Sequence, residues 1–198
     1  MAPEHLPDPL VVALNFASIL ERLRIRYVIG GSVASSMHGE PRSTHDVDFV
    51  VELEATQVGE LTQLLQLTYY VDRHTALDAV QSATSFNVIH LETAVKVDVF
   101  VAGGDPFDIE RIQRREPHQI GLDPSEILYL DTPEYTVLRK LEWYRRGDEV
   151  SERQWLDVLG ILRAQGSRLD QEIMMTWSER LGVLDLLERA IGQADSGG

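Results

Sequence analysis

The sequence predicts an α+β fold: a mixed β-sheet with flanking helices, followed by a C-terminal helical region. Three observations carry that prediction. Short β-favouring runs alternate with amphipathic helical stretches up to about residue 105. Two of those runs, Phe86 to Leu91 and Ala94 to Val101, adjoin across Glu92-Thr93 like the arms of a hairpin. From residue 132 onward the apolar residues recur almost wholly at helical spacing.

Composition sets the outer limits. With 198 residues, 43% hydrophobic and 25% charged, the chain can bury a core as one domain, or one domain with a helical appendage. The formal charge of −14 argues against an extensive nucleic-acid surface, though not against a local basic groove. There is no cysteine, which excludes disulfides and thiolate zinc sites and fits a cytoplasmic protein. No apolar run reaches the length needed to span a bilayer, and the N-terminus lacks a basic stretch followed by an apolar one, so no membrane partner is expected.

In chain order, Met1 to Pro9 carries three prolines and reads as an irregular arm. Leu10 to Arg24 sets Val11, Leu14, Ile19, Leu20 and Leu23 at helical spacing and leads into a strand, Arg26 to Ile29. Gly30-Gly31 stops that strand. Glycines there allow a sharp turn and a close ligand approach, although most such pairs are only turns. Ser32 opens a short helix ending near His38. A serine at that position caps the helix, and the free N–H groups beside it favour a phosphate. Arg42 and Thr44 follow, with Arg42 either ordering its loop or touching a phosphate. His38 and His45 read as hydrogen-bonded loop histidines.

Asp46-Val47-Asp48-Phe49-Val50-Val51 is the next strand. Its period of two sends Asp46 and Asp48 to one face and Val47, Phe49 and Val51 to the other. Two neighbouring carboxylates repel unless a cation sits between them, and a hard divalent ion is the usual partner; solvated surface carboxylates are the alternative. Glu54 to Leu67 is an amphipathic helix, Tyr69 to Val71 a short strand, and Ala76 to Ala83 a helical turn or two. In the run from Ala94 to Val101, Asp98 interrupts an otherwise apolar strand, VKVDVFV, sharing its face with Lys96 and Phe100. Either it faces water at an edge or it brings a third carboxylate to Asp46 and Asp48.

Arg111, Arg114 and Arg115 make a locally basic stretch that reads as a solvated helix face, the alternative being a site that touches phosphate or an acceptor. Thr132-Pro133-Glu134 starts a helix with threonine as N-cap, ending at Gly147. Ser151 starts another, ending at Gly166; Leu169 to Leu181 and Val183 to Ile191 are two more. Trp143, Trp155 and Trp177 lie on their apolar stripes. The expected organisation is an α/β core over 1–105, a connecting segment over 106–131, a C-terminal helical bundle packed on the core over 132–192, and a disordered tail over 193–198.

The pattern Gly-Gly-Ser, short helix, then Asp-x-Asp on the next strand resembles the nucleotidyltransferase fold of the DNA polymerase β superfamily. The fuller wording, Gly30-Gly31-Ser32-x-Ala34 and Gly39-x-x-Arg42-x-Thr44-x-Asp46-x-Asp48, is similar to the bacterial branch that includes AbiEii-type toxins of type IV abortive-infection systems. The resemblance is tight over 27–51 and looser over about two thirds of the chain. It implies catalytic carboxylates and Mg²⁺ ligands at Asp46, Asp48 and Asp98, with Asp98 also aiding deprotonation of an attacking hydroxyl. It implies a nucleoside triphosphate such as ATP as substrate, held by Gly30, Gly31, Ser32, Arg42 and Lys140, with Asp157 nearby. The acceptor, whether protein, RNA or small molecule, is left open, and an antitoxin partner protein is implied for the toxin branch. Two other readings stand beside this one: a non-catalytic nucleotide-binding regulatory or interaction module, and a structural α/β protein whose Asp-x-Asp is fortuitous.

Overall fold

A computed structural model describes residues 8–196. In chain order the elements are α1 (Asp8–Arg22), β1 (Tyr27–Ile29), α2 (Gly31–His38), β2 (Asp46–Val51), α3 (Val58–Leu65), β3 (Tyr69–Tyr70), α4 (Arg73–Ser82), β4 (Ser85–His90), β5 (Lys96–Val101), α5 (Pro106–Arg114), β6 (Glu116–Gln119), β7 (Ile127–Leu130), α6 (Pro133–Arg146), α7 (Glu152–Gln165), a 3₁₀ turn (Gly166–Arg168), α8 (Gln171–Leu181) and α9 (Leu184–Ser196). The described residues divide into two compact units, 8–30 with 44–130, and 31–43 with 131–196. The expected α+β class holds.

The first unit is built on a seven-stranded mixed sheet of order β3-β4-β5-β2-β1-β7-β6. β2 with β5 and β1 with β7 run parallel, and the other neighbours are antiparallel. Alternation decides its two faces. Val47, Phe49 and Val51 on β2, with Val97, Val99 and Val101 on β5, are all buried on one side. Phe16 of α1 meets Phe49 edge-on at 4.9 Å and Tyr69 at 5.9 Å, so the helix seals that face with aromatic contacts. On the other side Val28, Val50, Ala102 and Ile112 form a smaller cluster, with Phe100 packed against it. That cluster lies one rung away from the acidic residues, because Val50 pairs with Phe100 and Asp48 with Asp98.

In the second unit, Val137, Leu141, Val158, Ile161, Leu162, Met174, Leu187 and Ala190 make the core. Two of their helices, α7 and α8, start on side-chain caps: Ser151 accepts from the amide of Gln154, and Asp170 from that of Ile173. Thr132 behaves otherwise than expected. Its hydroxyl donates to Glu134 Oε2 at 2.6 Å, and Glu134 Oε1 accepts the Asp170 amide at 2.9 Å, so the carboxylate holds two helix starts together. Gly39 is pressed against α7: a methyl there would lie 2.9 Å from the Ile161 backbone nitrogen. We expect Gly39→Ala to destabilise this unit by about 1–3 kcal/mol, read as a shifted denaturation midpoint.

Several boundaries differ from the sequence reading. The stretch 106–131 adds α5 and two strands to the sheet rather than only connecting it. The tail expected over 193–198 is helical as far as Ser196, because α9 continues to bury Ala194 in line with Leu187 and Ala190; residues 197–198 lie outside the described residues. The irregular arm expected over 1–9 falls mostly on 1–7, also outside them, and Asp8 and Pro9 already belong to α1. Trp177 is buried, but Trp143 is exposed beneath the guanidinium of Arg146. Arg111 is buried and ion-paired to Asp108 at 2.6 Å rather than solvated.

Candidate active site

The acidic residues lie in the first unit, at one end of the β2–β5 pair. In parallel register Asp46 faces Lys96 and Asp48 faces Asp98. Period-two alternation puts all four side chains on the same face, opposite the buried valines. Thr44 steadies the start of β2 by donating its hydroxyl to the Asp46 carbonyl at 3.0 Å. The sequence reading placed Lys96 on the face of Asp98, two residues before it, but gave it no role. Its ammonium is 2.7 Å from Asp98 Oδ2. The hydrogen bond that Lys96 donates to Asp98, more than the added fields of Asp98, Asp46 and Asp48, raises the Lys96 pKa. Lysine is thus the positive charge that the three carboxylates demand.

Among the described residues, no group of three or more His, Asp or Glu side chains is drawn together as a finished metal site. The donor set nevertheless fits a hard divalent cation. It consists of anionic oxygens, two of them on residues in direct register, with one carboxylate now neutralised by an amine. Since the Lys96 pKa is raised on folding, its stabilisation is complete below the ordinary lysine range and lost as pH climbs through the folded value. We expect Lys96→Met to lower the melting temperature in chelator and to enlarge the stabilisation that added Mg²⁺ confers. Scanning fluorimetry of both proteins across a magnesium series measures this.

The remaining predicted residues are held by two different sets of contacts. In the first unit, the Gly30 amide donates to the Asp48 carbonyl at 3.0 Å. That N–H is engaged by the sheet, and what Gly30 offers is its missing side chain. In the second unit, Gly31 has φ of 56°, a left-handed conformation that suits glycine, and it begins α2 itself. Ser32 therefore sits inside the first turn, and its hydroxyl accepts from Arg42 Nη2 at 2.6 Å.

Arg42 is the arm of a partly buried ion cluster centred on Asp157. Its Nε and Nη2 donate to the two Asp157 oxygens at 2.9 and 2.8 Å, a bidentate fork. Lys140, 4% exposed, donates to Asp157 Oδ2 at 2.7 Å and to Gln154 Oε1 at 3.2 Å. Burial pushes the Asp157 pKa up, but hydrogen bonds from Arg42 and Lys140 outweigh that and leave it lowered. Two cations share the Asp157 carboxylate here. The loose reading of Lys140 and Asp157 from sequence thus falls on two residues in direct contact. Gln154 was missed, and only the fold could have marked it. His38 is hydrogen-bonded, as expected, through Nε2 to the Asp131 carbonyl at 2.6 Å.

No protein-family model matches this sequence, and no curated protein matches it. Solved structures do match. An antigenic nucleotidyltransferase-like protein from Paracoccidioides brasiliensis aligns over 94% of each chain with 18% identity and a TM-score of 0.56. ANT(2″)-Ia in complex with adenylyl-2″-tobramycin aligns over 86% of this chain and 97% of its own, with 11% identity and a TM-score of 0.55. A solution structure of the antibiotic-resistance factor ANT(2″)-Ia aligns over 91% and 95%, with 13% identity and a TM-score of 0.51. The fold is therefore nucleotidyltransferase-like. No helix among the described residues is long and apolar enough to cross a membrane.

Proposed function

We propose that this chain is a metal-dependent nucleotidyltransferase that moves an NMP group from a nucleoside triphosphate to a hydroxyl. The observation supporting this is the in-register pair Asp48 and Asp98 with Asp46 on the same face of a nucleotidyltransferase-like sheet. On this reading Asp46, Asp48 and Asp98 hold two Mg²⁺ ions. Held by these carboxylates, Mg²⁺ would supply charge neutralisation at the polyphosphate and a lowered pKa for the attacking hydroxyl. Asp98 aids removal of that proton. The hydroxyl oxygen bonds to the α-phosphorus, the α–β bridging P–O bond breaks, and pyrophosphate leaves. Gly31 and Ser32 hold the β- and γ-phosphates, with Arg42 and Lys140 supplying positive charge. Positioning and charge neutralisation carry the rate, because the protein itself forms no covalent bond.

The motif wording over 30–48 favours the AbiEii-like branch, and with it a toxin-like enzyme with an antitoxin partner. One structural neighbour holds adenylyl-2″-tobramycin, which favours a small-molecule acceptor. The chain's charge of −14 disfavours a long nucleic-acid acceptor under either reading. Incubating the protein with radiolabelled NTPs, Mg²⁺ and cell extract is the test. A labelled acceptor supports the enzyme, whereas saturable nucleotide binding without transfer leaves the regulatory module instead.

A further inference from the structure

At the opposite end of β1 from the carboxylates lies a cavity of about 450 Å³, in the size range of small-molecule sites. β1 opens at this cavity with Tyr27, while Gly30, just past its other end, bonds to the Asp48 carbonyl. The two places are separated by the length of the strand. The lining contains Arg24, Arg26 and Arg115, with Glu21, Tyr27 and Tyr129. Three guanidiniums, set against Glu21 in the lining and Glu52 on Arg26, leave a local excess of one positive charge in a chain of formal charge −14.

Two of the guanidiniums, those of Arg26 and Arg115, are held by contacts, and Arg24 is fixed through its backbone. Arg24 sits at φ of 56°, a conformation rare for residues other than glycine and asparagine, and its amide donates to the Glu21 carbonyl at 2.9 Å. Arg26 is ion-paired through Nε to Glu52. Arg115 lies over the Tyr129 ring, its guanidinium carbon 4.7 Å from the centroid, and one of its Nη groups donates to the Ile112 carbonyl. Its Nε is buried without a hydrogen-bond partner. The one carboxylate in the lining is engaged, because Glu21 Oε1 accepts the Tyr27 hydroxyl at 3.1 Å. Burial, and then Glu21, push the Tyr27 phenol up, so it stays protonated.

We propose that this cavity is a second ligand site, which takes a small molecule by its phosphoryl group. Guanidinium forks match phosphate oxygens bidentately, and three arginines on one cavity suit a dianion better than a single carboxylate. The ligand is either free phosphate or a phosphorylated small molecule, in which case the tyrosine-lined wall contacts its organic part. The site is independent of Asp46, Asp48 and Asp98.

Calorimetric titration of the full chain with inorganic phosphate, and separately with phenyl phosphate, tests this. Saturable binding is expected, weakened at least about tenfold by Arg24→Asn and by Arg115→Met and unchanged by Asp48→Asn. Asparagine keeps the left-handed backbone at position 24, so that variant folds even if the Arg115 variant does not. Tighter binding of phenyl phosphate identifies an organic phosphate; equal affinity identifies free phosphate. The proposal is overturned if neither probe saturates by about 10 mM. It is equally overturned if binding survives Arg24→Asn, or if binding is lost with Asp48→Asn.

Discussion

Asp48→Asn is expected to remove nucleotidyl transfer, lowering kcat by at least about a thousandfold while the protein stays folded. Asparagine keeps the shape of aspartate but withdraws one negative charge from the rung where Asp48 faces Asp98. A divalent cation then meets one fewer anionic oxygen, and charge neutralisation at the α-phosphate falls with it. Stability should remain within about 1 kcal/mol of wild type, because the substitution leaves the buried Val47 and Phe49 on the other face untouched. Steady-state transfer assays and thermal melts on the same preparation measure both quantities. Full activity in the variant would sink the proposed function.

The largest effect on stability belongs to Asp157→Ala. That carboxylate is the shared acceptor of Arg42 and Lys140 in the helical unit. Its removal leaves two partly buried cations facing each other, and breaking such a pair from one side costs about 3–5 kcal/mol. Asp157→Asn keeps an acceptor and should cost less. The pH dependence gives a second reading. The folded pKa of Asp157 is lowered, so its stabilisation is present above the ordinary carboxylate range and lost as pH falls through the folded value. Acid denaturation of Asp157→Ala should therefore lack part of the wild-type slope, as chemical melts across acidic pH will show.

How much of this was legible in the sequence depended on the range of the contacts. Asp46, Asp48 and Asp98 were readable because period-two alternation is local, and each strand declares its own face. The same rule placed Lys96 beside Asp98, but the 2.7 Å ion pair between them depends on side-chain conformation that alternation does not fix. The parallel register that sets Asp48 against Asp98 was not readable, since no local pattern fixes which strands adjoin. Arg42 and Asp157 lie 115 residues apart, so the fork between them has no sequence signature. β6 escaped notice because EPHQ contains Pro117 and alternates no apolar residues; as the outermost strand it tolerates a proline. α9 ran past its expected end because Gly192 and the final glycines suggested a break, whereas Ala194 still finds the core.

The insertion of β5 between β2 and β4 has a bearing on synthesis. A nascent chain that has left the ribosome only as far as β4 possesses Asp46 and Asp48 but no neighbour for the inner edge of β2. Parallel pairing waits for a long crossover to close, here through α3, β3, α4 and β4. Until Lys96–Val101 emerges, the apolar side of β2 lacks its partner strand, and the acidic side lacks both its third carboxylate and its lysine. Premature termination in this interval would yield a fragment with an unpaired, apolar strand edge and so a tendency to aggregate.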